Sequence, residues 1–313
     1  MKPASLQPGR LGGIGCLLLA AFLWGCSFPV GKAAMLAVDA YFLTSIRYGV
    51  AAVILVLALL LSEGVQSLRF DGRMILVGVL GIVGIGGGVL MMFVGLHRTH
   101  AEHAAVIVAT QPLVAALVTW MVRGQRPDSR TLLAVGLAFT GVALVVTRGA
   151  PLSLAGSESV TGDLLVLGAA LCWVTYTLSA AAFPTWSALR FTALTAGAGT
   201  VFVVAVTLVT ALLGAATLPT TGQLVSVGWQ IAFVTFGAAL LGTLCWNIGI
   251  QRIGPNGVLF INFVPITAFI IGVARGYAFN WAEVLGALLV IVALVSSRLE
   301  GASKNPSAAI TSR

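Results

Sequence analysis

The sequence carries very little charge for its length. Asp, Glu, Lys and Arg make up 8% of its 313 residues, whereas a soluble domain carries about 25%. Most of the protein surface must therefore face an apolar medium, which excludes an ordinary water-soluble fold. The mean hydropathy is +1.05, and apolar runs of about 20 residues recur, each long enough to cross a hydrocarbon core as a helix. The runs show no period-two alternation, so they predict transmembrane helices rather than a membrane barrel.

The sequence also lacks the residue patterns of several function classes. No Gly-x-x-x-x-Gly-Lys-Ser/Thr segment occurs, which argues against coupling to ATP. No Asp or Glu lies deep in an apolar run, so the buried acid pair of an intramembrane enzyme is missing and we expect no enzyme activity. The four cysteines lie inside apolar runs without metal-ligand spacing, so we expect no disulfide framework, no metal and no cofactor.

Basic residues outnumber acidic ones, giving a net charge of +8. They lie at the ends of apolar runs rather than in one patch, so we expect no nucleic-acid partner. The histidines form the one dense ionisable group: His97, His100 and His103 lie beside Arg98 and Glu102. Such a group suggests a zinc site or a pH switch. Because this stretch is predicted to be a turn outside the membrane, we expect solvated imidazoles and assign neither role.

Apolar runs between charged or Pro- and Gly-rich segments predict ten spans in two sets. The ranges are 13–34, 41–62, 74–96, 102–122 and 131–148, then 163–182, 187–213, 224–250, 257–274 and 281–297. The sets define a first repeat over 13–148 and a second over 162–298, joined by a polar linker over 149–161. We interpret 1–12 as a cytoplasmic segment before an uncleaved first span, and 299–313 as a disordered cytoplasmic tail.

Lys and Arg are distributed unevenly between the two sides of these spans. The predicted inside positions are Lys2, Arg10, Arg69, Arg73, Arg123, Arg126, Arg130, Arg190, Arg252, Arg298, Lys304 and Arg313, and the outside positions are Lys32, Arg98, Arg148 and Arg275. Positive residues accumulate on the cytoplasmic side. This distribution predicts a multi-pass protein of the cell membrane with both termini in the cytoplasm.

The two sets of spans match each other in order. Trp24 and Trp173 occupy corresponding places 149 residues apart, and Pro112 and Pro265 occupy corresponding places 153 residues apart. Since each set has an odd number of spans, the second copy must be inverted in the membrane. Inverted repeats of this kind form secondary transporters, in which the solute site lies near the midplane between the repeats.

At these positions the sequence resembles the EamA-type transporters of the drug/metabolite transporter superfamily, over about residues 13–298. The matching residues are Leu23, Trp24, Gly25, Ser27, Phe28, Arg47, Ala101, Pro112, Gly141, Val142, Trp173, Tyr176, Gly249, Gly254, Pro255, Asn262, Pro265, Gly286 and Ala287. The resemblance implies a ten-helix exporter of metabolites or xenobiotics whose cavity is lined by the first, third, fourth, sixth, eighth and ninth helices. Many relatives carry Gly-Glu after the fourth and ninth spans, where this sequence has Gly124-Gln125 and Gly276-Tyr277. No role of those acids is therefore transferred.

Aromatic and hydroxyl side chains inside the spans are the first candidates for substrate contacts. Trp24 and Ser27 stand three residues apart, as do Trp173 and Tyr176, so each pair shares a helix face. Trp24 lies about 11 residues into its predicted span, which is too deep for an interfacial aromatic belt. We interpret the two pairs as opposite walls of one cavity, with ordinary helix packing as the alternative.

Gln111 and Asn262 are the next candidates, since in mid-span Gln111 directly precedes Pro112 and Asn262 lies three residues before Pro265. A proline removes a helical hydrogen bond, and the bend is either purely structural or exposes backbone polar groups to a solute. Gln111 and Asn262 either bind an amide, carboxylate or ammonium group of a substrate or form hydrogen bonds between helices.

Arg47 is the clear charge inside a predicted span, about 9 Å from its outer end. A membrane-embedded charge is functional by default. Arg47 either attracts an anionic group or extends outward to hold neighbouring helix carbonyls, and we favour the structural role. Gly88 closes a glycine-rich stretch of the third span, which indicates close helix packing, and is a candidate hinge.

These patterns predict a secondary transporter, working as an exporter, of small amphipathic organic metabolites such as amino acids, or of xenobiotics. The expected mechanism is alternating access of the two repeats. Without a buried carboxylate we expect facilitated diffusion or exchange, with proton coupling only through a less obvious group. The alternative is a structural or sensing membrane protein that does not transport. The expected partners are a small-molecule substrate and the lipid bilayer, in a monomer or homodimer.

Overall fold

The computed structural model describes residues 8–124, 126–150, 158–274, 276 and 278–298. This part of the chain forms helices and contains no strand. The main helices are α1 (Pro8–Ala34), α2 (Ala40–Glu63), α3 (Met74–Arg98), α4a (Ala101–Ala109), α4b (Gln111–Arg123), α5 (Ser129–Thr147), α6 (Glu158–Ser179), α7 (Ala188–Leu212), α8 (Gly228–Ile253), α9 (Phe263–Ala274) and α10 (Trp281–Arg298). Shorter helical turns cover Val65–Leu68, Ala180–Ala182, Thr221–Ser226 and Pro255–Asn262.

Several of these helices are suited to a membrane. Among the described residues, seven segments are long and apolar enough to cross a bilayer, and α4a with α4b forms a further candidate bent by 44°. Two shorter apolar helices, Thr131–Val145 and Trp281–Ala293, lie within α5 and α10. The predicted all-helical membrane fold is confirmed at this level.

The helix ends agree closely with the predicted spans at most places. Two helices begin five residues earlier than predicted: α1 begins at Pro8, within the predicted segment 1–12, and α6 begins at Glu158, within the predicted linker 149–161. The remaining parts of the predicted amino-terminal segment and linker, 1–7 and 151–157, lie outside the described residues, as do Gln125, Tyr277 and the predicted tail 299–313.

Short polar caps and glycines define where the helices begin and end. The Asp39 carboxylate accepts a hydrogen bond from the Tyr41 backbone N–H at the start of α2, and the Ser187 hydroxyl does the same for Arg190 at the start of α7. Such caps pair amides that no helical carbonyl can reach. Gly124 ends α4b in the left-handed conformation, with φ of 68°, where a side chain is unfavourable.

The helix contacts come in matched pairs. Helix α1 packs against α8 and α9, while α6 packs against α3 and α4; α2 packs against α7, and α5 packs against α10. Glycines allow the closest approaches, since a Cβ on Gly141 of α5 would lie 2.5 Å from the Gly286 carbonyl oxygen of α10. The same holds between α3 and α6, where a Cβ on Gly95 would lie 2.7 Å from the Gly162 carbonyl oxygen. Small residues let membrane helices meet backbone to backbone.

Helices α3 and α8 share an uncommon feature. Each contains a π-helical stretch, Gly81–Gly88 in α3 and Phe233–Gly242 in α8. π-helical segments are rare and frequently occur at functional sites, because the wider turn shifts carbonyl groups out of the regular ladder. The expected close contacts of the glycine-rich stretch are present: a Cβ on Gly81 would lie 2.5 Å from the Thr195 carbonyl oxygen of α7.

The two ends of the bundle are named here by the ends of α3. The Arg98 end also holds the end of α1 and the starts of α2, α4a, α6 and α10, and the Met74 end holds the starts of α3 and α7 and the end of α2.

Candidate solute-binding site

A cavity lies among the central parts of helices from both matched sets. Its empty volume, counted with the open space at its mouth, is about 570 Å³. The lining residues are Trp24, Ser27, Phe28, Arg47, Tyr48, Gly88, Val89, Met92, Phe93, Val108, Gln111, Ala169, Trp173, Ile261 and Val264. Four of the predicted substrate-contact residues are therefore brought together: Trp24, Ser27, Gln111 and Trp173. Arg47 and Gly88 lie with them.

Tryptophans from the two matched sets meet at one wall of this cavity. The Trp24 ring of α1 stands edge-on to the Trp173 ring of α6, with centroids 5.2 Å apart. Trp24 is fixed in place because its Nε1 donates to the Ala238 carbonyl oxygen, 3.1 Å away in the π-helical stretch of α8. Ser27 lies one turn along, and its hydroxyl donates to the Trp24 carbonyl oxygen. Edge-to-face aromatic pairs are favourable and rigid, so this wall is preformed.

Tyr176 and Trp246 lie behind this wall, both with no exposed surface. The Tyr176 hydroxyl accepts a hydrogen bond from Asn247 Nδ2 at 2.9 Å, and the Trp246 Nε1 donates to Thr177 Oγ1 at 3.2 Å. Tyr176, which was expected to face the cavity, thus supports Trp173 from the core. Helix α8 contributes Trp246 to this second layer and no lining residue in the described part, whereas α2, which the resemblance did not include, contributes Arg47 and Tyr48.

Arg47 is a buried cation facing this apolar cavity. Its residue is 4% exposed, and its guanidinium carbon lies 3.9 Å from the centroid of the Phe93 ring. A cation over an aromatic face is stabilised by the ring quadrupole. Nε and Nη1 nevertheless have no hydrogen-bond partner among the described residues. The sequence analysis favoured a structural role in which Arg47 donates hydrogen bonds to neighbouring helix carbonyls, but these two nitrogens make no such bond with the described residues.

The two proline-containing segments approach the cavity from opposite sets. Gln111 is 2% exposed and lies at the break between α4a and α4b. Pro112 follows in the first turn of α4b, where its missing N–H costs no hydrogen bond. In the second set, Ile261 and Val264 line the cavity, while Asn262 and Pro265 are not among the lining residues.

Three lining residues carry buried polar atoms that find no partner in the described part of the protein. These atoms are Arg47 Nε and Nη1, Trp173 Nε1 and Gln111 Oε1. Buried polar groups are normally hydrogen-bonded, so each unpaired one calls for an explanation. The arginine and tryptophan supply N–H donors, and the glutamine supplies an acceptor. The set is complementary to a small molecule that carries both an anionic or acceptor group and a donor group.

A second polar group lies at the Arg98 end, and the sequence indicated His103 but not its partners Asp163 and Glu283. His103 is 1% exposed, which corrects the expectation of a solvated imidazole. Its Nε2 lies 2.8 Å from Glu283 Oε1, and its Nδ1 lies 3.5 Å from Asp163 Oδ2. We call His103, Asp163 and Glu283 the His103 cluster. Among the described residues, no group of His, Cys, Asp and Glu has the arrangement of a metal site.

The Met74 end is held by a different set of polar contacts. Asp71 Oδ2 pairs with Arg190 Nη2 at 2.9 Å and accepts from Trp186 Nε1 at 3.0 Å. The Ser187 hydroxyl donates to Glu63 Oε1. These contacts tie the α2–α3 connection to the start of α7, and they are more exposed than the His103 cluster, since the Asp71 side chain is 49% exposed.

Comparison with known proteins gives consistent matches over the chain. The model of the EamA-like transporter family matches twice, over residues 11–147 and 160–298. The uncharacterized transporter YrdR of Bacillus subtilis (strain 168) is 29% identical, covering 94% of this chain and 94% of that protein. The uncharacterized transporter YyaM of the same organism is 31% identical, covering 80% of this chain and 82% of that protein.

A solved structure, described only as the crystal structure of a protein, has the same fold. It superposes with a TM-score of 0.64 at 22% identity, covering 96% of this chain and 99% of that chain.

Proposed function

Because the chain belongs to the EamA-like transporter family, we propose that this multi-pass membrane transporter moves small amphipathic organic solutes through its central cavity by alternating access. The observation that carries this proposal is the set of unpaired buried atoms on Arg47, Gln111 and Trp173, three residues that line one aromatic cavity. A protein that only spans the membrane, without binding a solute, would have no need to leave buried donors and acceptors unsatisfied.

The proposed architecture is ten spans in two inverted repeats, 13–148 and 162–298. Two observations support it. The family model matches each half separately, and the contacts between helices follow the same pattern when each helix from α1 to α5 is replaced by its counterpart from α6 to α10, and the reverse. The paired π-helical stretches in α3 and α8 support the same correspondence. In such carriers the repeats rock about a central site, so that the site opens to one side at a time. The prolines beside Gln111 and Asn262, and Gly88 in α3, are the places where we propose that the helices bend.

The proposed substrates are amphipathic metabolites such as amino acids, or xenobiotics of similar size. Arg47 and Trp173 Nε1 suit a carboxylate, Gln111 Oε1 suits an ammonium or amide N–H, and the Trp24 and Phe93 rings suit an apolar side chain. A sugar phosphate or nucleotide, with several negative charges, would need more than one cationic side chain in the cavity. Arg47 is the one Lys or Arg among the lining residues in the described part of the chain.

Orientation, direction and assembly form part of the same proposal. The distribution of Lys and Arg supports both termini in the cytoplasm of a cell-membrane protein, which places the Arg98 end outside. The proposed direction of transport is export, and the proposed assembly is a monomer or a homodimer. We also propose that the protein needs no cofactor, binds no nucleic acid and has no enzyme activity. The alternative is a structural or sensing membrane protein.

The test begins with binding and continues with transport. Purified protein is screened against amino acids, other metabolites and drugs for a rise in thermal stability, because a ligand that binds the native state raises its stability by mass action. Compounds that bind are then loaded into proteoliposomes, and exchange of the radiolabelled compound across the bilayer is measured.

The expected result is saturable exchange that is stimulated by unlabelled compound on the opposite side. Gln111→Leu should reduce it, whereas the exposed Gln223→Leu, in the short helix Thr221–Ser226, should not. Ligands that bind tightly without any exchange would favour the sensing alternative.

A further inference from the structure

The His103 cluster joins helices from both matched sets at the Arg98 end. His103 belongs to α4a, Asp163 to α6 and Glu283 to α10, and none is more than 3% exposed. Three ionisable groups in one buried place must share protons among themselves, because a lone charge in an apolar interior is strongly unfavourable.

The two nitrogens of the His103 ring have different surroundings. Nε2 is hydrogen-bonded to Glu283 Oε1, whereas Nδ1 and Asp163 Oδ2 face each other across 3.5 Å and both lack a hydrogen-bond partner. In a neutral ring that donates through Nε2, the lone pair of Nδ1 would point at a carboxylate oxygen. A second proton, on Nδ1, turns this contact into a charge-assisted hydrogen bond. The cluster is therefore shaped for an imidazolium.

Among His103, Asp163, Glu283 and Arg148, which are the paired charges in the described part of this end, the charges balance only when His103 carries this second proton. Glu283 is also paired with Arg148, whose Nε lies 3.0 Å from Oε1. Asp163 receives a hydrogen bond from the neutral Thr99 hydroxyl at 2.6 Å. The imidazolium is thus the charge that compensates Asp163, and loss of its proton leaves a buried carboxylate without a counter-charge.

The other ionisable groups around the cluster do not replace that charge. Lys32 of α1 directs its ammonium to the carbonyl oxygens of Leu96, His97 and Thr99. Partial burial and the positive charges of His103, Arg148 and Lys32 lower the pKa of His100, whose ring centroid lies 5.2 Å from that of His103. A charged His103 therefore disfavours a second imidazolium at His100.

Three elements remain, namely α9, α4b and the turn Pro255–Asn262, and among the described residues none of them brings a further cation near the cluster. Glu102, on the same helix as His103, packs against α9, since a Cβ on Gly272 would lie 2.7 Å from Glu102 Oε1. Helix α9 itself has no charged residue, and α4b has one only at its far end.

We propose that His103 is a proton-binding site and that its occupied form holds the Arg98 end of the transporter closed. This rests on the proposed function, because only a carrier that opens at this end has to break the contact. Val108 lines the cavity five residues further along α4a, about 7.5 Å along the helix axis. Opening the cavity toward this end separates α4a from α6 or α10 and hydrates both carboxylates. The proton on Nδ1 is then released to water on that side, so acid on that side opposes opening.

The first experiment measures the proton directly and needs no substrate. Protein labelled with ¹⁵N-histidine in lipid nanodiscs is studied by NMR at pH 7.5, and the signals are assigned with His97→Asn and His100→Asn. We expect His103 to show two protonated ring nitrogens, and to show one in Asp163→Asn, which keeps the size of the side chain. A neutral His103 in the unmodified protein, or an imidazolium that persists in Asp163→Asn, overturns the proposal.

The second experiment asks whether the proton controls transport. Exchange of radiolabelled L-amino acids is measured in proteoliposomes while the pH on the Arg98 side is lowered. We expect the rate to fall by up to about tenfold per pH unit, the limit for one proton, and this dependence to disappear in His103→Asn but not in the exposed His97→Asn.

The outcomes of the two experiments separate the proton site from the transport function. An imidazolium at His103 together with an unchanged pH profile in His103→Asn overturns control of opening. A protein that exchanges no amino acid contradicts the proposed substrate class, and the NMR result then decides the proton site by itself.

Discussion

Replacing Arg47 by Met should separate substrate binding from stability. The side chains are similar in length and both are largely apolar along the stem, but Met has neither the charge nor the donors. If Arg47 Nε and Nη1 meet a carboxylate of the substrate, the change removes a hydrogen bond to a charged group, worth about 1.5–3 kcal/mol. That corresponds to a dissociation constant higher by about 10-fold to 150-fold.

The same substitution, Arg47→Met, should have little effect on the stability of the protein without ligand. Arg47→Met loses the interaction of the guanidinium with the Phe93 ring, worth about 0.5–2 kcal/mol, since the two lie 3.9 Å apart. It also removes a buried cation with two unpaired nitrogens, whose desolvation cost is of about the same size. The two terms offset each other, so the thermal unfolding midpoint without ligand should change little.

The assay is thermal unfolding with and without ligand. At a ligand concentration of 100 times the dissociation constant the unmodified protein gains about 2.7 kcal/mol, and a variant that binds 100-fold more weakly gains about 0.4 kcal/mol at the same concentration. Arg69→Met, at an exposed position, is the control and should keep the full gain. A variant of Arg47 that unfolds much earlier yet keeps its ligand response would refute this reasoning and restore the structural role that the sequence favoured.

Three further predictions follow from the helix contacts and the aromatic wall. Gly141→Ala should lower the unfolding midpoint, because the added Cβ lies 2.5 Å from the Gly286 carbonyl oxygen and overpacking costs about 1–3 kcal/mol. The control is Gly78→Ala, which has no atom within 4 Å of the new Cβ and should leave the midpoint unchanged or raise it. Equal shifts of the midpoint in the two variants would contradict the packing account. Trp24→Phe should destabilise by about 0.5–1.5 kcal/mol through loss of the bond to Ala238, measured by the same unfolding assay. Trp173→Phe removes a donor that has no partner in the described structure, so it should weaken ligand binding without lowering stability, and a stability loss equal to that of Trp24→Phe would count against it.

The sequence indicated the apolar helical segments and several residues of the cavity, because both depend on local patterns. Polar and aromatic residues stand out in mid-span, so Trp24, Gln111 and Trp173 were visible without a structure. Tyr176 shows where the pattern stops being sufficient. Three residues along a helix turn the side chain by about 300°, which leaves Trp173 and Tyr176 about 60° apart. That angle is enough for one side chain to line the cavity while the other is buried in the core behind it. The packing of α6 against its neighbours, which the sequence does not show, determines that Trp173 lines the cavity and Tyr176 is buried.

The His103 cluster was hidden for a different reason. Its members lie near predicted span ends, where charged residues usually face water, and Glu283 is 180 residues from His103 in the chain. Whether such a side chain is buried or faces water depends on how the two sets of helices pack against each other at the Arg98 end. The π-helical stretches of α3 and α8 were equally invisible, since hydropathy alone does not distinguish them from ordinary helix.

Access to Ser27 from the two sides of the membrane is the most direct test of alternating access. Ser27 lines the cavity and is 6% exposed, and Ser27→Cys changes little in size. In a background without Cys16, Cys26, Cys172 and Cys245, a thiol reagent that does not cross the bilayer is applied to one side at a time, with Ser62→Cys at the exposed end of α2 as a control. We expect the cysteine at position 27 to react from both sides and to be protected by a transported solute, while the control reacts from one side. A cysteine at position 27 that reacts from only one side, whatever solute is present, would contradict alternating access.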